Sequence, residues 1–382
     1  MPDLSSHAEV LIDFERSTEY LDALLEEVCI ALQLSDSQFS LAQQRYHAIG
    51  DWLGAAGSAL EHLAPRIYPQ GSIAVQTTVR PRRDHDESAE FDIDLVCELG
   101  ACDLSPLDLL ERVGQRLAKH GTYRHMLEPL KRCWRLNYAG EFHLDVLPAI
   151  PDLARGGCAV LVPDRELREW CPSNPRGFAS WFNERAAFRA LVERKAEPLP
   201  PNTPTSDRPP LKLVVQLLKR RRDVFFGPSD LAPRSVVLTT LAALAYEAST
   251  SVSLTITSIL GRLCALRETV IPKVFNPTNK AENFAEAWQR NPEAFDAYCR
   301  FVDTFAQEWR ELLELSGYAA IQQRLGQLFG EEPANRAVEA LAERVQRARS
   351  SGVLRVGAAV GLTTVQTSRS HPIHRHDFHG AS

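Results

Sequence analysis

Phe91-Asp92-Ile93-Asp94-Leu95-Val96, preceded upstream by Gln70-Gly71-Ser72, is the stretch that decides how this chain folds. Phe91, Ile93 and Leu95 alternate with Asp92, Asp94 and Val96, the period of two expected of a strand buried on one face. Both carboxylates therefore leave the strand on the same side, roughly 6.7 Å apart. Two acids on one face repel, and a hard divalent cation with oxygen ligands relieves that repulsion. The competing reading is a solvated outer strand face.

A third acid shifts the balance towards the metal. Trp134-Arg135-Leu136-Asn137-Tyr138 and Glu141-Phe142-His143-Leu144-Asp145-Val146-Leu147 are two alternating runs separated by Ala139-Gly140, which predicts a tight hairpin. Phe142, Leu144 and Val146 share one face of the second run, so His143 and Asp145 share the other. His143 is expected to hydrogen-bond behind the site. Three aspartates on neighbouring strands, with a Gly-Ser turn upstream, fit a two-metal site for phosphoryl transfer. Glycine admits close approach, and backbone amides suit anions.

Gly71-Ser72, Asp92-x-Asp94 and the later strand Asp145 resemble the nucleotidyltransferase superfamily of DNA polymerase β, and within it the bacterial CD-NTases, which make cyclic oligonucleotides in anti-phage signalling. Further segments support the resemblance: Thr77-Thr78-Val79-Arg80-Pro81, Ser173-Asn174-Pro175-Arg176-Gly177-Phe178, Gln216-Leu217-Leu218-Lys219-Arg220, and Asn276-Pro277 with Glu282-Asn283-Phe284. Gln76 departs from the pattern, which often carries glycine there. The resemblance implies an α+β, polymerase-β-like core of mixed or antiparallel sheet with helices, plus a C-terminal all-helical domain, bilobed with the site in the cleft. It implies Mg²⁺, or Mn²⁺ in its place, held by Asp92, Asp94 and Asp145. Gln70, Gly71 and Ser72 would bind the donor nucleotide, joined by Lys219 and Ser235 on the triphosphate. The substrates would be nucleoside triphosphates, ATP among them, condensed to a cyclic di- or trinucleotide. Operon partners that activate the enzyme or conjugate its C-terminus are also implied, Phe378-His379-Gly380-Ala381-Ser382 being similar to such tails.

The remainder of the chain frames these motifs. Its 382 residues are 44% hydrophobic, enough for a substantial core. No uninterrupted apolar stretch is long enough to span a bilayer, and the N-terminus does not read as a secretory signal. The eight scattered cysteines suggest neither a zinc site nor a disulfide framework, and a cytoplasmic location with reduced thiols is expected. With a net charge of −6, constitutive nucleic-acid binding is not expected, and Lys219-Arg220-Arg221-Arg222 reads as a solvated helix face. A poly(A)- or CCA-adding enzyme would need a broad basic track, and a silent binding scaffold would be expected to have lost a carboxylate.

Helical periodicity fills the first sixty or so residues, with Ser35 and Gln38 forming a capping box for a second helix that runs toward Leu63. Strands follow, with a helix from about Pro106 to His120 between them and a last strand over Cys158 to Val162 closing the sheet. Glu197 to Pro210 is a proline-rich connection, and the chain beyond it reads as all-helical. Lys212, Gln216 and Lys219 form one polar ridge facing either a cleft or solvent. The predicted units are a nucleotidyltransferase domain over 1–205 including the N-terminal helices, a helical nucleotide-binding domain over 206–348, and a flexible tail over 349–382.

Overall fold

The computed structural model describes residues 4–82, 91–138, 140, 142–187, 208–265, 271–353, 355–357, 361–363 and 370–372. Its seven-stranded sheet is built on the alternating runs: β1 (Arg66–Pro69), β2 (Phe91–Glu98), β3 (Leu127–Pro129), β4 (Trp134–Tyr138), β5 (Phe142–Pro151), β6 (Val160–Asp164) and β7 (Glu169–Ser173). Along the main path the order is β1-β2-β5-β4-β3. Only β2 and β5 pair in parallel there, the other neighbours being antiparallel. A parallel pair needs a crossover. Helix α4 (Pro106–Ala118) lies within that connection, started by Ser105, whose side chain accepts from the Asp108 amide, and by Pro106 in the first turn.

Burial decides which face the acids take. Ile93, Leu95, Leu136, Leu144 and Val146 pack against Ala42, Tyr46, Ile49 and Leu53 of α2 (Asp36–Gly54) and against Leu109, Val113 and Leu117 of α4. Each such side chain contributes about 1.5–3 kcal/mol when fully buried. A one-residue slip of β2 would drive the aspartates into this core, so the register is strongly specified. At the α4 contact, Gly114 admits the Trp134 ring, whose Nε1 donates to Leu110 O at 2.8 Å.

A second core is helical. It joins α5 (Pro175–Ala186), α6 (Pro210–Phe226), α7 (Ser235–Ala245), α8 (Val252–Ala265), α10 (Pro292–Glu314) and α11 (Tyr318–Phe329) around Phe301, Phe305, Trp309 and Leu217. Helix α1 (Leu4–Leu32) gives this core Leu21, Leu24, Leu25, Val28 and Leu32, and it also packs along α12 (Glu331–Ser350). The sequence reading groups both N-terminal helices with the sheet; in the structure α2 packs there, while α1 packs with the C-terminal helices. No helix among the described residues is long and apolar enough to cross a membrane.

Several boundaries differ from the sequence reading. The capping box at Ser35 and Gln38 is present, but α2 ends at Gly54. Gly57 adopts φ +75° there, and Ser58 turns back to donate to Leu53 O, so the chain leaves the helix before a separate 3-10 turn at Glu61–Leu63. The last strand does not close the sheet, because β7 pairs beyond β6. The C-terminal half is not wholly helical. It holds a hairpin, β8 (Phe275–Asn276) with β9 (Asn279–Asn283), and α9 (Glu286–Arg290) follows it. Where a structureless tail is expected, α12 continues to Ser350, and β10 (Arg355–Gly357), β11 (Gly361–Thr363) and β12 (Ser370–Pro372) form an antiparallel sheet. Strands this short leave no readable alternation. The proline-rich connection up to residue 207 and the last ten residues lie outside the described residues.

Candidate active site

The loop between β1 and β2 begins with a constraint. Gln70 donates its amide to Asp94 O at 2.9 Å, which brings Gly71 against the Asp94 side chain. Gly71 adopts φ +63°, and a Cβ at this position would fall on Asp94 Oδ2. Glycine is therefore required twice, for conformation and for space. Ser72 begins the next turn, in the short helix α3 (Gly71–Ala74). Its carbonyl accepts from the Thr77 amide at 2.9 Å, and its Oγ accepts from Thr78 Oγ1 at 3.2 Å. Gln76 adopts φ +57°, the left-handed region that glycine would enter freely.

Strand register arranges the acids as a grid. Asp94 pairs with Asp145 across β2 and β5, Asp92 pairs with His143, and across the hairpin Arg135 pairs with Asp145. Arg135 grips both Asp145 oxygens, at 2.8 and 2.9 Å, and reaches Asp92 Oδ1 at 3.1 Å. His143 Nδ1 lies 3.5 Å from the same Asp92 oxygen. Burial, then the charges of Asp145 and Asp92, raise the Asp94 carboxyl to about 7. Asp92 is also raised, first by desolvation among its neighbours although its side chain is about half exposed, against the pull of Arg135. Arg135 itself is held firmly protonated, first by its hydrogen bond to Asp145.

Across the cavity stands α6, whose polar ridge faces the loop and not solvent. Lys212 Nζ donates to Gln76 Oε1 at 2.5 Å, Gln216 Nε2 to Thr78 O at 2.8 Å, and Lys219 Nζ to Thr77 Oγ1 at 2.8 Å and Thr77 O at 3.1 Å. Arg220 continues the series with a bond to Arg80 O at 2.7 Å. The expectation of a solvated basic run therefore fails: Lys219, Arg220 and Arg221 are all buried. Burial, then Arg222, lowers Lys219 to about 7. Arg222 donates to Ser235 Oγ at 2.6 Å, while its Nε holds Asp223 Oδ1 at 2.8 Å.

These two walls enclose a cavity of about 370 Å³, within the usual range for a small-molecule site. Gly71, Ser72, Asp92, Asp94, Lys219 and Ser235 all line it, so residues far apart in sequence meet in one place. Two others named from the sequence do not. Gln70 acts through its amide on Asp94, and Asp145 is buried behind the grip of Arg135. Among the residues not singled out for the site, three polar or aromatic ones bear on its chemistry. Phe178 and Arg222 line the cavity, and Arg135 bridges the acids. For Arg135 a signal existed, since a hairpin pairing Tyr138 with Phe142 sets Arg135 opposite Asp145.

The donor set suits a hard divalent cation, with carboxylate oxygens on one face beside a glycine whose missing Cβ leaves Asp94 Oδ2 uncovered. The acids are nonetheless not drawn together into a cage. Among the described residues, no three His, Cys, Asp or Glu side chains are gathered so as to hold a metal ion.

Residues 19–186 match the family described as Second Messenger Oligonucleotide or Dinucleotide Synthetase domain. A c-di-GMP synthase of Roseivirga ehrenbergii is 32% identical, over 94% of this chain and 97% of its own length. The cyclic dinucleotide synthase CdnG of Bradyrhizobium diazoefficiens is 27% identical, over 92% and 94%. The solved structure of that CdnG in complex with GTP superposes with a TM-score of 0.68 at 25% identity, covering 84% of this chain and 99% of the other. Vibrio cholerae DncV, a cyclic AMP-GMP synthase, shares the fold, with a TM-score of 0.54 at 15% identity over 88% of this chain and 92% of its own. Those likenesses, with an α+β fold whose sheet and helices meet at one cavity, place the chain in the CD-NTase family of nucleotidyltransferases that synthesise cyclic nucleotide messengers.

Proposed function

We propose that this enzyme condenses two molecules of GTP into a cyclic dinucleotide, c-di-GMP, with release of pyrophosphate at each bond formed. The observation that carries the reading is the single cavity in which Gly71, Ser72, Asp92, Asp94, Lys219 and Ser235 face one another. The relatives' names favour guanosine over the ATP expected from sequence.

The chain's own residues divide the work. The turn at Gly71 and Ser72 receives the donor phosphates, and Lys219 supplies a positive charge once a phosphate raises its proton affinity. Ser235 Oγ accepts from Arg222, which leaves its O–H free to donate to a phosphate oxygen. Asp92, Asp94 and Asp145 would hold divalent metal, Mg²⁺ or Mn²⁺, which supplies Lewis acidity and charge neutralisation. The acceptor hydroxyl oxygen attacks the α-phosphorus, the bond from that phosphorus to the β-phosphate's bridging oxygen breaks, and the hydroxyl proton would pass to Asp145 once its carboxylate leaves the Arg135 fork. A second transfer within the same cavity closes the ring.

Purified enzyme incubated with labelled GTP or ATP and Mg²⁺, then treated with phosphatase, tests this. A resistant compact product from GTP supports the reading, a ladder would indicate a polymerase, and a product from ATP alone would remove the guanosine assignment. We further read the product as an anti-phage signal made in the cytoplasm. Phage plating on cells carrying the wild-type gene or an Asp92→Ala, Asp94→Ala variant tests that role, equal plaque numbers counting against it. Mass spectrometry of the C-terminus after co-expression with neighbouring genes tests conjugation.

A further inference from the structure

We propose that Arg135 is the internal counter-cation of the carboxylate site and competes with divalent metal for Asp92 and Asp145. The proposal rests on the reading of these aspartates as metal-binding. One guanidinium makes three hydrogen bonds to two of the three carboxylates, at 2.8, 2.9 and 3.1 Å. The fork across Asp145 takes one lone pair from each of its oxygens, and a bidentate charge-assisted pair is among the stronger contacts a carboxylate makes. The third acid, Asp94, lies outside the fork, facing the cavity beside Gly71.

This division explains why the donor set suits a cation while its members are not gathered around one point. Arg135 holds Asp145 out of the cavity and engages one oxygen of Asp92 at its edge, while Asp94 lines the cavity free of the fork. Strand register keeps the two side chains within reach, because Arg135 stands directly opposite Asp145 in the β4–β5 pair. Metal that takes Asp92 or Asp145 has to draw the carboxylate out of the fork. Arg135 is thus a positioning residue that lets the acids share one sheet face and sets the threshold for loading.

The alternative is that Arg135 only orients Asp145, and the two roles predict opposite signs. Mn²⁺ titration of the full chain, followed by electron paramagnetic resonance without nucleotide, separates them. Competition predicts that Arg135→Gln binds Mn²⁺ about tenfold more tightly or better, since a charge-assisted rival is removed. Melting without metal should fall for this variant, and added Mn²⁺ should raise it more than it raises wild type. Arg135→Lys keeps the charge but not the fork, and its affinity should lie between the two. Unchanged or weaker Mn²⁺ binding in Arg135→Gln would overturn the proposal. Should that variant fail to fold, Arg135→Lys decides alone, tighter binding than wild type supporting competition and equal or weaker binding refuting it. Asp94→Asn is the control: Mn²⁺ binding that survives it undiminished would overturn the metal-site reading and this proposal with it.

Discussion

On the sheet side of the cavity, Asp92, Asp94 and Asp145 owe their places to backbone register, whereas on the helix side Lys219, Arg222 and Ser235 owe theirs to side-chain hydrogen bonds. A ladder holds every residue along it, so the acids can be repelled by their neighbours and still stay in position. The cations stand on α6, whose backbone ladder fixes where they start but leaves their long side chains to be aimed by side-chain contacts. Lys219 is held by a threonine hydroxyl and a carbonyl, and Ser235 by one arginine. The acidic wall should therefore tolerate loss of charge without loss of structure, while the basic wall should lose geometry together with charge.

The strongest test of that contrast is Asp92→Ala with Asp94→Ala. Turnover should fall by at least about 10³-fold, since the groups that stabilise the developing charge are gone. Circular dichroism should be unchanged, because the ladder remains. Retained activity, or a collapsed fold, would break the comparison on its acidic side.

Next in size is Lys219→Met. Nucleotide binding should weaken roughly 10- to 100-fold, the cost of a charge-assisted hydrogen bond. The denaturation midpoint should hold or rise, because a buried cation whose burial outweighs the pull of Asp223 and Asp94 is replaced by an apolar chain of similar length. A marked drop in stability would show that the Thr77 contact, and not catalysis, is the chief role of Lys219.

The two walls should also titrate in opposite senses. Asp94 is raised in the fold to about 7, so its contribution to stability is full below the ordinary carboxylate value of 3.8 and is lost as pH rises through about 7. Lys219 is lowered to about 7, so its contribution is full above the ordinary value of 10.5 and is lost as pH falls through about 7. Melting temperatures across this range should show Asp94→Asn removing the acid-side slope and Lys219→Met the alkaline-side slope. Parallel curves for wild type and both variants would contradict both assignments.

The smallest expected effect lies at Gln76. Both Gln76→Gly and Gln76→Ala remove the Lys212 partner, but only glycine relieves the left-handed backbone. Chemical denaturation should place the glycine variant about 1 kcal/mol above the alanine variant. Equal stabilities would mean that the turn opens once Lys212 lets go.

The same contrast explains what was legible in the sequence. Alternation at Phe91–Val96 and Phe142–Leu147 marks strands because one face is buried, and it sorts the aspartates onto the other face without reference to any partner. The capping box at Ser35 is a local hydrogen-bond pattern, and it is present. Asp94 beside Asp145 depends on a parallel crossover that periodicity cannot specify. The burial of Lys219, Arg220 and Arg221 depends on residues 76–80 lying against α6, a contact more than a hundred residues away in sequence. A run of four cations looks hydrated until the carbonyls that receive them are in place. Arg135 was readable in principle from the hairpin register, but only if the arginine is treated as part of the acidic site.

The attachment of residues 76–80 to α6 has a mechanical meaning. Gln76, Thr77, Thr78 and Arg80 are each fastened to that helix, while the same loop is joined to β2 through the amide of Gln70. A force that parted sheet from helices would carry the loop's far end with the helices and strain it near Gly71, the residue with the greatest torsional freedom there. The turn at Gly71 and Ser72 is then a tether between sheet and helices, and its length limits how far the cavity can gape.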